Sequence, residues 1–317
     1  MIVAPFAASG IFDVSCRRRK VVYLNKLSVR IPMTWDVIQR VLFPAGGSGL
    51  LAIIYWSVLA GLVGLEFFVP RNQNQNRSQR WPANFGLGFI NMALVPLAPI
   101  SGFFAAEWAR RNGVGALNLL DGSWWPIALI GTIVIQSFAS YLTHVLFHKS
   151  TWLWRIHRVH HFDTVLDVST GLRHHPVELL LTLLIDSLVA IAFGLMPLAL
   201  VIYGTTDAMF ALFSHANVRL PGKADHLLRG VFVTPRIHAV HHSVNRSETD
   251  SNYGNVLTIW DRLFRTYCDT RADAAETIQF GLMELQDSRA SDFWWQLKSP
   301  SIDYNLDDMG GRIFQDK

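Results

Sequence analysis

The sequence predicts an all-α, multi-pass membrane bundle that carries a histidine-rich, metal-binding helical cap on its cytoplasmic side. Three observations predict it. Half of the 317 residues are apolar and only 16% are charged, where a soluble domain carries about a quarter. The charge is missing from a few long runs rather than everywhere. All twelve histidines lie between His144 and His242, and eight of them form three tight groups.

The runs define the spans. Ser48 to Phe68 holds one charge, Glu66. Ala83 to Ala106 holds none, and Trp124 to Phe147 holds only the titratable His144. Each is longer than the ~20 residues needed to cross the hydrocarbon core. Val177 to Ala216 is long enough for two spans, with Gly194 and Pro197 near its middle. Two spans return the chain to the side it left, so histidines before and after this stretch can meet. Four such blocks are too many for one soluble core.

Between the runs the chain is polar. Residues 34–45 read as a short helix before the first span. Pro70 to Pro82 and Arg110 to Ser123 read as loops. After a break at Lys149-Ser150-Thr151, Trp152 to Phe162 reads as an interfacial helix, with Trp152 and Trp154 suited to the aromatic belt. These features divide the chain into a tail and peripheral helix (1–47), two spans with their loops (48–123), a histidine-bearing domain (124–270) and a C-terminal cytoplasmic segment (271–317). Met33 is an alternative start. Arg71, Arg77 and Arg80 favour a cytoplasmic loop after the first span, which places His144 and His148 on that side too. The basic run Arg17 to Lys20 argues the other way unless Met33 begins the chain. The net charge of +4 is spread out and gives no sign of nucleic-acid binding. Cys16 and Cys268 are isolated and form no disulfide framework. Asn76-Arg-Ser matches a glycosylation sequon, a pattern that arises often by chance.

The histidine groups read His144-x-x-x-His148, His157-x-x-His160-His161 and His238-x-x-His241-His242. Positions i, i+3 and i+4 share one helix face, so each group is expected to aim its rings at a common point. Neutral imidazole is the commonest protein ligand for transition metals, and these donors suffice for two ions. A lone histidine is more often a satisfied polar residue, as expected for His226. The groups contain no cysteine, against structural zinc and iron–sulfur clusters, and His-Glu-x-x-His is absent. Nitrogen donors alone leave iron, copper and zinc open. A metal transporter would place ligands along mid-span, and a membrane cytochrome would pair histidines deep in facing helices. Here most histidines fall outside the spans.

The chain resembles the fatty acid hydroxylase superfamily, the sterol desaturase family. Trp154-Arg-Ile-His157-Arg-Val-His160-His161, Arg173-x-His175-Pro176-x-Glu178, His215-Ala-Asn217, Asn252-Tyr253-Gly254 and Trp260-Asp261-Arg262-Leu263-Phe264 carry the resemblance with the first and third histidine groups. It covers roughly residues 84–270. Val145 and Arg265 depart from the usual pattern, at positions that are not ligands. The resemblance implies a catalytic domain over 124–270 with two iron ions, O2 as co-substrate and a lipid (sterol, fatty acyl or sphingoid) as the molecule hydroxylated or desaturated. It implies His144, His148, His157, His160, His161, His175, His215, His238, His241 and His242 as ligands. Arg-x-His-Pro selects His175 over His174. Asp163, Asp167, Arg173, Glu178, Asn217 and Asn252 are expected to orient ligands or hold loops, with Arg173 and Arg236 pairing with carboxylates. Asp186 and Asp207, ionisable groups in apolar runs, are functional candidates. Neither Gly-x-Gly-x-x-Gly nor His-Pro-Gly-Gly is present. Electrons are therefore expected from a separate reductase, ferredoxin or cytochrome b5-like carrier.

Overall fold

Runs of apolar residues without charge can bury their backbone polar groups in lipid only as helix, and the architecture follows from that. The computed structural model describes residues 49–73, 76–98, 100–120, 122–269 and 278–302. Cys16, the basic run Arg17 to Lys20, Met33 and the expected helix at 34–45 lie outside them. Among the described residues, five segments are long and apolar enough to cross a membrane: Leu50–Phe68, Arg77–Leu119, Gly122–Lys149, Pro176–Phe193 and Pro197–His215. These residues contain no β-strand, only isolated bridges such as Pro70 with Val218. The protein is an all-α integral membrane protein.

The helices run as follows: α1 Leu50–Phe68, α2 Arg77–Leu94, α3 Gly102–Asn112, α4 Trp125–Lys149, α5 Thr151–His161, α6 Pro176–Phe193 and α7 Pro197–His215. Shorter helices follow: α8 Gly222–Leu228, α9 Pro235–His241, α10 Arg246–Thr249, α11 Ile259–Leu263 and α12 Phe293–Lys298. Proline stands at the N-terminal edge of α4, α6, α7 and α9, where its missing N–H is no loss.

The second span departs from the sequence reading. The apolar block 83–106 is not one helix. A 3-10 turn at Val95–Leu97, built around Pro96, ends α2, and α3 continues beyond it. Nor does the loop last until Pro82. The helix begins at Arg77 and holds Pro82 inside it. Proline there removes one N–H, but side chains on either side are anchored. Arg80 bonds Asp163 and Asp167, Trp81 bonds Asp167, and Asn84 bonds Asp163 and Ser169. The second loop also starts late, since α3 runs to Asn112.

The spans alternate, and the histidines collect at one end. Glu66, near the end of α1, accepts the backbone N–H of Val168 and of Asn217, at 2.7 and 2.8 Å. His144 and His148 lie in the last turns of α4, His215 closes α7, and α6 begins just after His174 and His175. At the other end α6 stops at Gly194 with φ 67°, against Gly115 with φ 92°. A Cβ on Gly115 would collide with the Gly194 backbone, so this contact requires glycine. Between these ends α3 packs along α6 and α7.

Large apolar side chains such as Phe89, Phe104, Ile130, Leu188 and Ile202 stay exposed on the spans, as lipid contact requires. Trp124 and Trp125 are exposed at the start of α4 and Trp152 at the start of α5, positions suited to the two interfaces. Above the histidine end, Leu87, Val159, Phe162, Leu282, Leu285 and Ala290 form a core joining α2, α5 and the segment after residue 278.

Candidate metal centre

Two neighbouring residues on a helix point about 100° apart, and this decides how the histidines are shared. His157 and His161, one turn apart on α5, face one way, and His160 faces another. On α9 and its C-cap, His238 and His242 pair while His241 diverges. The result is two buried groups. His144, His148, His157, His161 and His241 form one, and His160, His215, His238 and His242 form the other. In each group the potential ligand atoms lie within 4.8 Å of one another. The three-histidine motifs therefore do not each aim at one point, as their spacing suggested; each divides between the groups.

The ring nitrogens are oriented from outside. Nδ1 of His144 bonds the carbonyl of Tyr253 (2.8 Å), His160 that of Arg173 (3.1 Å), His215 that of Ala211 (2.6 Å) and His241 that of Ser251 (2.7 Å). Nδ1 of His157 bonds the Glu178 carboxylate at 2.8 Å, and that of His148 lies 3.4 Å from Asp250. A carbonyl oxygen can only accept, so Nδ1 donates and Nε2 of a neutral ring keeps a bare lone pair. Those lone pairs face one another. Nε2 of His215 is 3.0 Å from His160, 3.1 Å from His242 and 2.9 Å from His238. Nε2 of His157 is 3.2 Å from His144 and 3.3 Å from His161. Nε2 of His148 and of His241 is buried without a hydrogen-bond partner.

Such lone pairs repel unless a cation lies among them. Two nitrogens each about 2.1 Å from one ion, at a right angle, stand about 3 Å apart, which matches these edges. The donor set therefore fits metal in both groups. Burial first, then the neighbouring rings, pushes the imidazoles of His160, His161, His238 and His242 well below the usual histidine range. Burial takes His241 down to about 3 against the pull of the Ser251 carbonyl. Neutral rings are the form that binds metal.

The remaining expected residues separate. His175 joins neither group. Its Nδ1 accepts the N–H of Val177 as the N-cap of α6, and its Nε2 bonds the carbonyl of Leu297. His174 is the residue beside the centre. It stacks on His160 with centroids 4.3 Å apart and planes 10° apart, and bonds Glu178 at 3.2 Å. His226 lies at the surface beside Arg229. Asp163 and Asp167 touch no histidine; they hold Arg80, at 2.5 and 2.9 Å. Burial opposes the charge on Asp163, but Arg80 keeps its carboxyl below the usual range. Arg173 donates to the carbonyls of Val159 and Ala290 and to Asn84, and lies 3.6 Å from Asp163. Arg236 pairs with Asp269. Asn217 ties its loop to Asn72.

Asn252 takes a left-handed conformation, φ 52°, and is fastened to Ile237 and Cys268. That turn places the Ser251 and Tyr253 carbonyls against His241 and His144. Asp261 accepts the N–H of Tyr253 and of Gly254, each at 2.8 Å. Residue types could not flag these backbone acceptors, although the Asn-Tyr-Gly and Trp-Asp-Arg runs marked their turn.

The fatty acid hydroxylase family profile matches residues 129–266, the segment that carries both histidine groups. This segment belongs to the fatty acid hydroxylase superfamily. The fatty acid hydroxylase segment has lipid-modifying relatives. Ornithine lipid hydroxylase OlsE of Rhizobium tropici is 36% identical over 155 residues, 45% of this chain and 43% of that protein. Alkylglycerol monooxygenase of Caenorhabditis elegans is 31% identical over 163 residues, 49% of this chain and 30% of that protein. A cholesterol 25-hydroxylase-like protein of Danio rerio is 26% identical over 175 residues, 55% of this chain and 66% of that protein. The chain thus spans less than half the length of the first two. No solved structure matches it significantly.

Proposed function

We propose that this protein is a membrane-bound lipid hydroxylase in which two iron ions, one in each histidine group, use O2 to oxidise a C–H bond of a lipid. One observation carries the reading: nine buried imidazoles gather in two groups at the end of a span bundle, and five of them have Nδ1 tied to an outer carbonyl or carboxylate, which leaves Nε2 for the interior of the group. The relatives' names, hydroxylase and monooxygenase of lipids, support hydroxylation over desaturation. The placement of the histidines at span ends disfavours an ion pathway through the membrane.

The assigned ligands are His144, His148, His157, His161 and His241 for one ion and His160, His215, His238 and His242 for the other. Bound iron would supply the oxygen chemistry, with two electrons per turnover from an outside reductase, ferredoxin or cytochrome b5-like carrier. The protein's own part is orientation and exclusion. Glu178 and four carbonyls fix the tautomers, as outer partners of ligating histidines commonly do. Burial keeps water from the rings. The site opens to the bilayer, so that a lipid chain enters from between the spans. The histidine end faces the cytoplasm, in keeping with Arg71 in the loop after α1 and with Lys149, Arg155 and Arg158 beside the centre.

Expression in a host lacking the gene tests the activity. Extracted lipids should gain one oxygen atom per modified molecule, carried by label from 18O2 and absent with His160→Ala. Unlabelled product, or an unchanged lipid profile with iron-replete protein, would refute the reading.

A further inference from the structure

A second polar cluster lies inside the span bundle, apart from the histidines. Gln136, Ser137 and Ser140 come from α4, Asp186 from α6, and Tyr203 and Asp207 from α7. Asn255 reaches in from the loop that follows the Asn252 turn. Gln136 Nε2 donates to Asp186 at 2.7 Å, Asn255 to Ser140 at 2.8 Å and the Trp260 indole to Ser137 at 2.8 Å. Tyr203 is within hydrogen-bonding reach of Ser137 and Ser140, and Asp207 of Asn255 and Tyr203.

The cluster is unsatisfied in one direction only. Gln136 is 5% exposed, and its Oε1 accepts no hydrogen bond; nor does the buried Oδ1 of Asp207. Both are acceptors, so what the cluster lacks is a donor. Bare acceptors in hydrocarbon are costly, and a polar group kept at that depth is a candidate for function. Asp186 and Asp207 are only partly buried, while the two bare acceptor atoms themselves are covered.

Its position relates it to the metal centre. Gln136 precedes His144 on α4 by the same eight residues that separate Asp207 from His215 on α7, about 12 Å along each helix.

We infer that this cluster is a subsite for a lipid hydroxyl. The O–H of an alcohol donates to Asp207 or Gln136, and the attached hydrocarbon runs toward the histidines. The inference rests on the lipid hydroxylase reading and narrows its substrate to lipids carrying a hydroxyl remote from the oxidised carbon. A neutral hydroxyl suits this depth better than an ammonium, which loses more hydration there.

Binding in lipid nanodiscs tests it, with radiolabelled hexadecanol, hexadecyl methyl ether and hexadecylamine as probes. The expected result is that wild-type protein holds the alcohol about tenfold more tightly than the ether, the worth of one buried hydrogen bond. That preference should vanish in Gln136→Leu and Asp207→Leu at unchanged iron content. Asp207→Asn, which keeps an acceptor and the shape, should retain part of it. Equal binding of alcohol and ether by the wild type would overturn the assignment, and that comparison needs no variant to fold. Survival of the preference in both leucine variants, or tighter binding of the amine, would overturn it too. Iron-replete protein without the preference sinks the subsite alone; an iron-free protein that keeps it sinks the hydroxylase reading alone.

Discussion

Glu178 takes the ring protons of His157 and His174 at once, at 2.8 and 3.2 Å. Removing an outer partner of a metal ligand typically costs 10- to 100-fold in metal affinity. Glu178→Gln should therefore weaken iron binding by about that factor while the protein still folds, as measured by chelator competition. Affinity equal to wild type would show that His157 needs no carboxylate. Arg80 has the opposite role. It is 2% exposed and serves two buried carboxylates. Arg80→Met removes the ion pair of Asp167 and leaves Asp163 only Arg173 at 3.6 Å, and stranding a buried charge costs about 3–5 kcal/mol. The expected result is a large drop in melting temperature, with the iron affinity of the folded fraction little changed. The sequence made the imidazoles legible, with Glu178 beside His157, and hid most of their other partners. Asp163 and Arg80 are 83 positions apart, and no local pattern pairs them. The acceptors for His144, His160, His215 and His241 are main-chain carbonyls, which every residue has.

Helical spacing predicted which histidines share a helix, but not which share a group. His160 and His161 are adjacent in the chain, and only the rings they meet across the fold, such as His215 for His160 and His241 for His161, separate them into two groups. The same ambiguity of direction, one residue apart, placed His174 rather than His175 beside the centre. The second span was misjudged for a different reason. The sequence reads Pro82 as the end of a polar loop, yet it lies inside a helix whose Arg80, Trp81 and Asn84 are anchored around it, whereas Pro96, read through as part of one span, stands in the 3-10 turn that ends that helix. The far end of α6 gives an element-level prediction. Gly194→Ala meets a left-handed φ and close contacts with Val114 and Asn118, and should lower stability by about 2 kcal/mol or more. Gly64→Ala in α1 meets nothing within 4 Å and should be neutral or stabilising by up to about 1 kcal/mol. Thermal unfolding in detergent compares them; similar melting shifts would contradict the close α6 contact.

Among the described residues, five candidate spans bring three distant stretches of chain to one end of the bundle. That much followed from hydropathy, because the 40-residue block Val177 to Ala216 had to cross twice. The side was weaker in the sequence. Arg77 and Arg80 were counted as loop charges, but the structure puts both in α2, Arg80 between Asp163 and Asp167 and Arg77 near Glu66. Exposed Ser247, on the histidine side, reports orientation directly. With Ser247→Cys in a background lacking Cys16 and Cys268, an impermeant maleimide should label spheroplasts only after the membrane is opened. Labelling of intact cells would reverse the proposed topology. The central claim is that one chain holds two iron ions. Elemental analysis of the purified protein should find two irons per chain in wild type, with substantial loss in His241→Ala and in His238→Ala, which draw on different groups. A wild-type protein with no bound iron, or one whose iron survives both substitutions, would contradict it.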